Sequence, residues 1–311
     1  MVIPMRMILL ALSLLVVSVA AAEKPNIVFL LADDLGYGDL ACYGNPVITT
    51  ANLDQLAADG VKLLDCYAAS PNCSPARTGI MTGRSPYRVG MYDFARFRPM
   101  HIPVAELTLP EVIGSAGYQT MFAGKWHCSG DAKLAGGTQP NPGDHGFDHW
   151  LAHPKNFGQN PSGFFRNNET LGQLQGWMSE IVVNEAMSFI STRDSEKPFL
   201  SVLWFSEPHV PVVAAREFIE PYETPEAIEA AKGLKRGGGS QVQWGSKDGQ
   251  GPKYFGCVSM LDHHIGRLLD FLDEQGLREN TLVIFTSDNG PEHRPGTSFG
   301  SPGELRGAKG H

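Results

Sequence analysis

Cysteine is scarce in this sequence. The 311 residues hold five, Cys42, Cys66, Cys73, Cys128 and Cys257. None of their spacings gives the C-x-x-C pair of a zinc or redox site. An odd count leaves one thiol over in any complete pairing. Free buried thiols, acting as small apolar groups, describe the rest as well as disulfides do. A basic field is also missing: 25 Lys and Arg against 33 Asp and Glu give a net charge of −8, which excludes a global attraction for nucleic acid. An anionic substrate would have to be drawn in by a few local cations. Internal repeats are absent, so solenoids and propellers are excluded.

What is present is core-forming material. Hydrophobic residues make up 42% of the chain, enough to bury a sizeable interior and to exclude wholesale disorder. The 35 glycines and 22 prolines cluster between apolar runs, as in an α/β fold with long surface loops. Residues 1–22 read as a signal peptide: Arg6 supplies a positive start, Met7 to Val19 an apolar stretch, and Ala20-Ala21-Ala22 a small-residue cleavage site. An uncleaved membrane anchor is the competing reading, and the short length and small-residue end favour cleavage. No cysteine precedes Cys42, which argues against a lipid anchor. The expectation is an exported protein, periplasmic or extracellular, with no stable membrane anchor and one domain over 23–311.

Three continuous apolar runs, Asn26 to Ala32, Phe199 to Phe205 and Thr281 to Thr286, predict strands buried on both faces. Gly117 to Phe122 predicts another, and Val61 to Cys66 a further one. Helical periodicity covers Met178 to Ile190 and Val258 to Leu272. A short helix is expected from an Asn52 cap through Ala58, with Gly60 as its stop. Cys73 opens another helix, with Pro75 in its first turn. Residues 233–251 read as a loop. Strands alternating with helices predict a doubly wound, mostly parallel sheet flanked by helices, with ligands at the C-terminal strand ends.

Several oxygen donors fall at that edge. Asp33-Asp34 ends one buried strand and Asp288-Asn289 another. Gathered together they would repel one another unless a hard divalent cation sat among them, and an all-oxygen set favours Ca²⁺ or Mg²⁺ over zinc. Taken singly, each pair equally describes a solvated turn. A cysteine at a helix start lies where free N–H groups suit an anion, with Arg77 one turn on. Read bare, Cys73 is either a low-pKa thiol or a buried one.

Cys73-Ser74-Pro75-Ala76-Arg77 followed by Thr82-Gly83-Arg84 resembles the signature of the sulfatase family. A second family signature is Gly117-Tyr118-Gln119-Thr120 with Gly124-Lys125-Trp126-His127. KPNIVFLLADDLGYGD at 24–39, HGFDHW at 145–150, EPHVP at 207–211, SDNG at 287–290 and LRGAKGH at 305–311 follow in the family's order. The resemblance implies an alkaline-phosphatase-like fold and hydrolysis of sulfate esters. It implies that Cys73 is converted to formylglycine by a dedicated modifying enzyme that reads C-x-P-x-R. It assigns Asp33, Asp34, Asp288 and Asn289, with residue 73 among them, to one Ca²⁺. Arg77 would stabilise the formylglycine hydrate, Lys125 and Lys309 would hold sulfate oxygens, His209 would protonate the leaving alcohol, and His127 would take a proton from residue 73. Members usually continue past the LRGAKGH motif into further strands and a smaller C-terminal domain, so the 311 residues are expected to lack that domain.

Two other functions stay open. One is a phosphonate or phosphodiester hydrolase of the same superfamily; the other is an inactive sulfate-ester binder. The expected substrate is a sulfated carbohydrate, ahead of a small aryl sulfate. Trp126, Trp150, Trp204 and Tyr92 are either cleft walls or core. His145, His149, His263, His264 and His293 have no motif support and read as surface, supporting or pocket residues.

Overall fold

The computed structural model describes residues 23–95, 100–130, 133–234, 250–292 and 299–310. Residues 1–22, read as a signal peptide, residues 235–249 of the stretch read as a loop, His293 and His311 lie outside them. The strands are β1 (Asn26–Asp33), β2 (Gln119–Lys125), β3 (His149–His153), β4 (Phe165–Arg166), β5 (Glu169–Thr170), β6 (Phe199–Pro208) and β7 (Thr281–Ser287). The α-helices are α1 (Ala51–Asp59), α2 (Cys73–Thr82), α3 (Pro86–Val89), α4 (Leu109–Ser115), α5 (Met178–Thr192), α6 (Arg216–Ile219), α7 (Pro225–Ala231) and α8 (Gln250–Glu274).

The strands form one sheet in the order β5-β4-β3-β2-β6-β1-β7. Its five longer strands are parallel, and only the β4–β5 hairpin runs antiparallel at one edge. The apolar runs become strands because both faces are wanted: β6 is buried at every residue, and Leu30 in β1 pairs with Leu203 of β6 on one side and Phe285 of β7 on the other. Gly124 lets β2 lie close against β6. Its φ is +116°, and a Cβ there would sit 1.9 Å from the Trp204 carbonyl oxygen, so no other residue fits.

One face of the sheet is covered by α1, α5 and α8, whose Leu53, Val182, Ala186, Leu261, Ile265 and Leu268 join the main core. The other carries a smaller aromatic-rich core around Phe122, Trp126, Trp150 and Trp204, to which α2 and α4 contribute Met81, Leu109 and Ile113. That second cover is thin over β1 and β7. Ile27 and Phe29 pair in register with Leu282 and Ile284, and the latter two are 52% and 36% exposed.

Four local expectations change, the first being that β7, expected to be buried on both faces, lies at the sheet edge with no buried residue. Residues 61–66 form no strand. Val61, Leu63 and Leu64 are 84%, 61% and 56% exposed, and an apolar run with no neighbouring strand to bond has nothing to hold it extended. Helix α1 starts at Ala51 behind Thr50, because the Asn52 side-chain amide instead donates to Asp262 Oδ2 at 2.8 Å. The last helix begins at Gln250, well before Val258. No helix among the described residues is long and apolar enough to cross a membrane.

Candidate active site

The strand order places β6 between β1 and β2, so the chain leaving β1 skips a position and returns to fill it later. Such a reversal opens a crevice at the C-terminal strand ends. Asp33 and Asp34 leave β1, Lys125 ends β2, Glu207-Pro208-His209 ends β6 and Asp288-Asn289 follows β7. Helix α2 points its first residue, Cys73, at the same crevice, and the turn carrying Lys309 is tied in by its own N–H on the Pro291 carbonyl and that of Gly310 on Pro71.

The groups converge closely. Ligand atoms of Asp33, Asp34, Cys73 and Asp288 lie within 4.8 Å of one another, all buried. Asp34 sits at φ +64°, outside the comfortable range for a side-chain-bearing residue, and so turns its carboxylate inward. Asn289 donates its amide to Asp34 Oδ1 at 2.7 Å, while its own Oδ1 is buried without a partner. Three cations face the carboxylates. Arg77 reaches Asp288 Oδ2 with Nε at 3.0 Å and Nη2 at 2.8 Å, and the Lys125 carbonyl with Nη1 at 2.9 Å. Lys125 Nζ donates to Asp33 Oδ2, and Lys309 Nζ to Asp34 Oδ2 at 2.7 Å. His209 Nε2 stands 3.4 Å from Asp34 Oδ2.

Burial opposes ionisation throughout this cluster, and the balance differs by group. Lys125, His209, Arg77 and Lys309 overcome it at Asp33, whose carboxyl is held well below its usual range. Burial and the charge on Asp33 push Asp34 and Asp288 up to about 6. Burial is the larger cause, and a further cation beside these carboxylates would favour their ionised forms. The donor chemistry fits a hard divalent ion: carboxylate oxygens and the orphaned Asn289 Oδ1. Cys73 behaves differently from a reactive thiol. Burial, aided by Asp33, Asp288 and Asp34, raises it well above its usual value, so it stays protonated despite the helix start. Of the two bare readings of Cys73, the structure shows the buried one.

Above the cluster opens a cavity of about 360 Å³. Cys73, His127, His209 and Lys309 line it, together with Phe94, Lys155, Asn156 and Glu292. His127 is buried at φ +50° with neither ring nitrogen partnered. Burial, then Lys125 and Arg77, lower it well below the usual histidine range. The structure therefore brings Asp33, Asp34, Cys73, Arg77, Lys125, His127, His209, Asp288, Asn289 and Lys309 around one point. A second cavity, of about 210 Å³, lies on the flank of β3 beside the Arg166–Glu185 ion pair and away from these groups.

Four residues of the site, Phe94, Lys155, Asn156 and Glu292, escaped the sequence reading. Asn156 donates its amide to Asp33 Oδ2 at 3.0 Å, and Phe94 stacks on His127 at 6.2 Å with Lys309 Nζ 5.6 Å over its ring. Trp126, Trp150 and Trp204 are core, at 0%, 2% and 0% exposure. Trp204 nonetheless serves the site, since the Arg77 guanidinium lies over its ring at 4.9 Å. The four unsupported histidines among the described residues do not line the cavity: His145 is buried beside Trp126, His149 pairs with Glu185, His263 packs on Phe218 and His264 meets Arg267.

Comparison with known proteins gives a consistent result. The family model described as Sulfatase matches residues 25–311. The chain is 35% identical to human arylsulfatase A over 98% of its own length and 59% of that protein. It is 32% identical to N-acetylgalactosamine-6-sulfatase of Rattus norvegicus, over 91% of the chain and 53% of that protein. It thus spans little more than half of these relatives. Among solved structures, Ps i-CgsB superposes with a TM-score of 0.77 at 26% identity, covering 93% of this chain and 63% of that one.

Proposed function

This chain belongs to the sulfatase family, and from that premise we propose that it is the nucleophile- and metal-bearing part of an exported enzyme that hydrolyses sulfate esters of carbohydrates. One observation carries the reading. Cys73 opens α2 buried among the carboxylates of Asp33, Asp34 and Asp288, and burial with those three charges raises its thiol well above the usual value. A side chain so central and so unreactive fits conversion to another nucleophile. Formylglycine at this position would supply, as its hydrate, one hydroxyl to attack sulfur and a second whose proton is later removed.

Asp33, Asp34, Asp288 and Asn289 would hold Ca²⁺ beside residue 73. When bound, the ion supplies a hard positive charge against which a sulfate oxygen can rest. Arg77, fixed by Asp288 and backed by Trp204, orients residue 73. Lys125 and Lys309 carry the charges that bind the remaining sulfate oxygens. His209 faces the cavity at the end of β6 and gives its proton to the departing alcohol. His127, neutral and unpartnered, accepts a proton from residue 73. For the substrate, support comes from the N-acetylgalactosamine-6-sulfatase relative and from Ps i-CgsB, which is also solved in complex with k-i-k-neocarrahexaose.

Mass analysis of the peptide containing residue 73, from protein made with a sulfatase-modifying enzyme, should show formylglycine, which is lighter than cysteine. Cys73→Ala should abolish turnover of an aryl sulfate and leave the fold intact. Cys73→Ser should fail too where the modifying enzyme accepts only cysteine. A Cys73→Ala variant at wild-type rate sinks the mechanism. Faster turnover of an aryl phosphodiester than of the aryl sulfate would move the assignment to a phosphodiesterase.

A further inference from the structure

We propose that Lys155 selects substrates that carry a second anionic group, a carboxylate or another sulfate, near the scissile one. The proposal rests on the sulfatase reading above and sharpens its substrate class. The inner cations of the cavity are already engaged: Arg77 by Asp288, Lys125 by Asp33 and Lys309 by Asp34. Lys155 is different. It lines the same cavity, is exposed, and its side chain has no hydrogen bond or ion pair among the described residues.

Its mounting is rigid where a surface lysine is usually loose. The Lys155 carbonyl accepts from His153 Nδ1 at 2.6 Å, and His153 is itself buried. The next side chain, Asn156, is anchored on Asp33, and the Phe157 N–H donates to Ser206 Oγ at 3.2 Å. Three consecutive residues are thus fastened to β3, β1 and β6, so the base of the lysine is fixed relative to Cys73 and His209. A cation held at the mouth of a cavity whose floor takes one sulfate is placed for a second negative group on the same sugar or its neighbour. A partly solvated ion pair of this kind is worth about a five-fold preference.

The test uses the full-length protein, wild type and with Lys155→Ala or Lys155→Glu. Three probes are compared: a monosulfated neutral hexosamine, the same sugar with a second sulfate, and a monosulfated disaccharide containing a uronic acid. The ratio of kcat/KM for a dianionic probe to that for the monosulfated one should fall about five-fold in Lys155→Ala and further in Lys155→Glu. Added salt should erode the same ratio in the wild type. Whichever dianionic probe loses more identifies the group as carboxylate or sulfate. An unchanged ratio in both variants overturns the proposal while leaving the sulfatase reading standing. A wild type that turns over none of the three, with residue 73 modified, overturns both.

Discussion

His127 and His209 share a side-chain type and a cavity but not an environment. His209 Nδ1 donates to the Val210 carbonyl at 2.6 Å, which leaves Nε2 to face Asp34 and the cavity. Burial pushes its pKa down to about 4, against the opposing pull of Asp33. It acts as an acid only when an anionic substrate beside it raises that value. His127 has no hydrogen-bond partner and three cations nearby, Lys125, Arg77 and Lys309, which suits a proton acceptor. Removing His209 should therefore cost most where the leaving group needs a proton: about a hundred-fold or more with an alkyl sulfate, and far less with an aryl sulfate whose phenolate is stable. His127→Ala should instead give a burst of alcohol followed by slow turnover on both substrates. Equal losses from both variants on both substrates, with no burst, would refute this division of roles. The charged groups at the cavity floor and both histidines were legible in the sequence because each sits in a family motif, whereas the lining residues Lys155 and Glu292 sit in none. Asn156 and Phe94 were not legible either. Asn156 matters only because the loop leaving β3 crosses the strand ends to reach Asp33, and HWLAH, with a histidine at each end, gives no apolar run from which to read that strand.

At the level of elements, the end of β6 is joined to the start of α5 by one buried carboxylate. Glu207 accepts from the Ser179 N–H at 2.6 Å, in the first turn of α5, and from the Ser206 N–H at 3.2 Å. Burial raises its pKa to about 7 despite these donors. An acid whose folded value lies above its unfolded one stabilises the fold fully below the unfolded value. That contribution is lost as the pH rises through 7. Glu207→Gln cannot ionise, so the wild type should lose stability relative to the variant between pH 5 and pH 8, by on the order of 1–3 kcal/mol. Urea denaturation of both proteins at intervals over that range measures it, and a constant gap would mean Glu207 is ionised throughout. The same scale explains what was readable of the fold. β1 and β6 announced themselves because strands covered on both faces must be apolar without interruption, whereas β7 has the same composition at the sheet edge with none of its residues buried. The run at 61–66 has that composition and no neighbouring strand, so composition alone misled.

For the whole molecule, the proposed metal ligands tie together parts of the chain that meet only on folding: the ends of β1 and β7 and the first turn of α2. An ion that binds this arrangement and not the unfolded chain stabilises it, by about 2.7 kcal/mol at a concentration a hundred times its Kd. Chelation should remove activity and lower Tm together, and Ca²⁺ should restore both best. Full activity in metal-free protein would rule the ion out, and a larger rescue by Mg²⁺ would change its identity. The doubly wound architecture was readable from the alternation of strands and helices, but the insertion of β6 between β1 and β2, which creates the crevice, is a fact of three dimensions.

The thinly covered flank of the sheet has a consequence of another kind. Along β7, Leu282 and Ile284 present their side chains to water in register with Ile27 and Phe29, and β7 is the last strand of the described sheet. Such a border offers both unsatisfied peptide groups and greasy contact area, the two ingredients of an adhesive. In solution these 311 residues would behave as a colloid with one sticky side. Repulsion from a net charge of −8 weakens as salt is added, so dilution and low ionic strength would keep the particles apart, however sound the crevice at the other end of the strands.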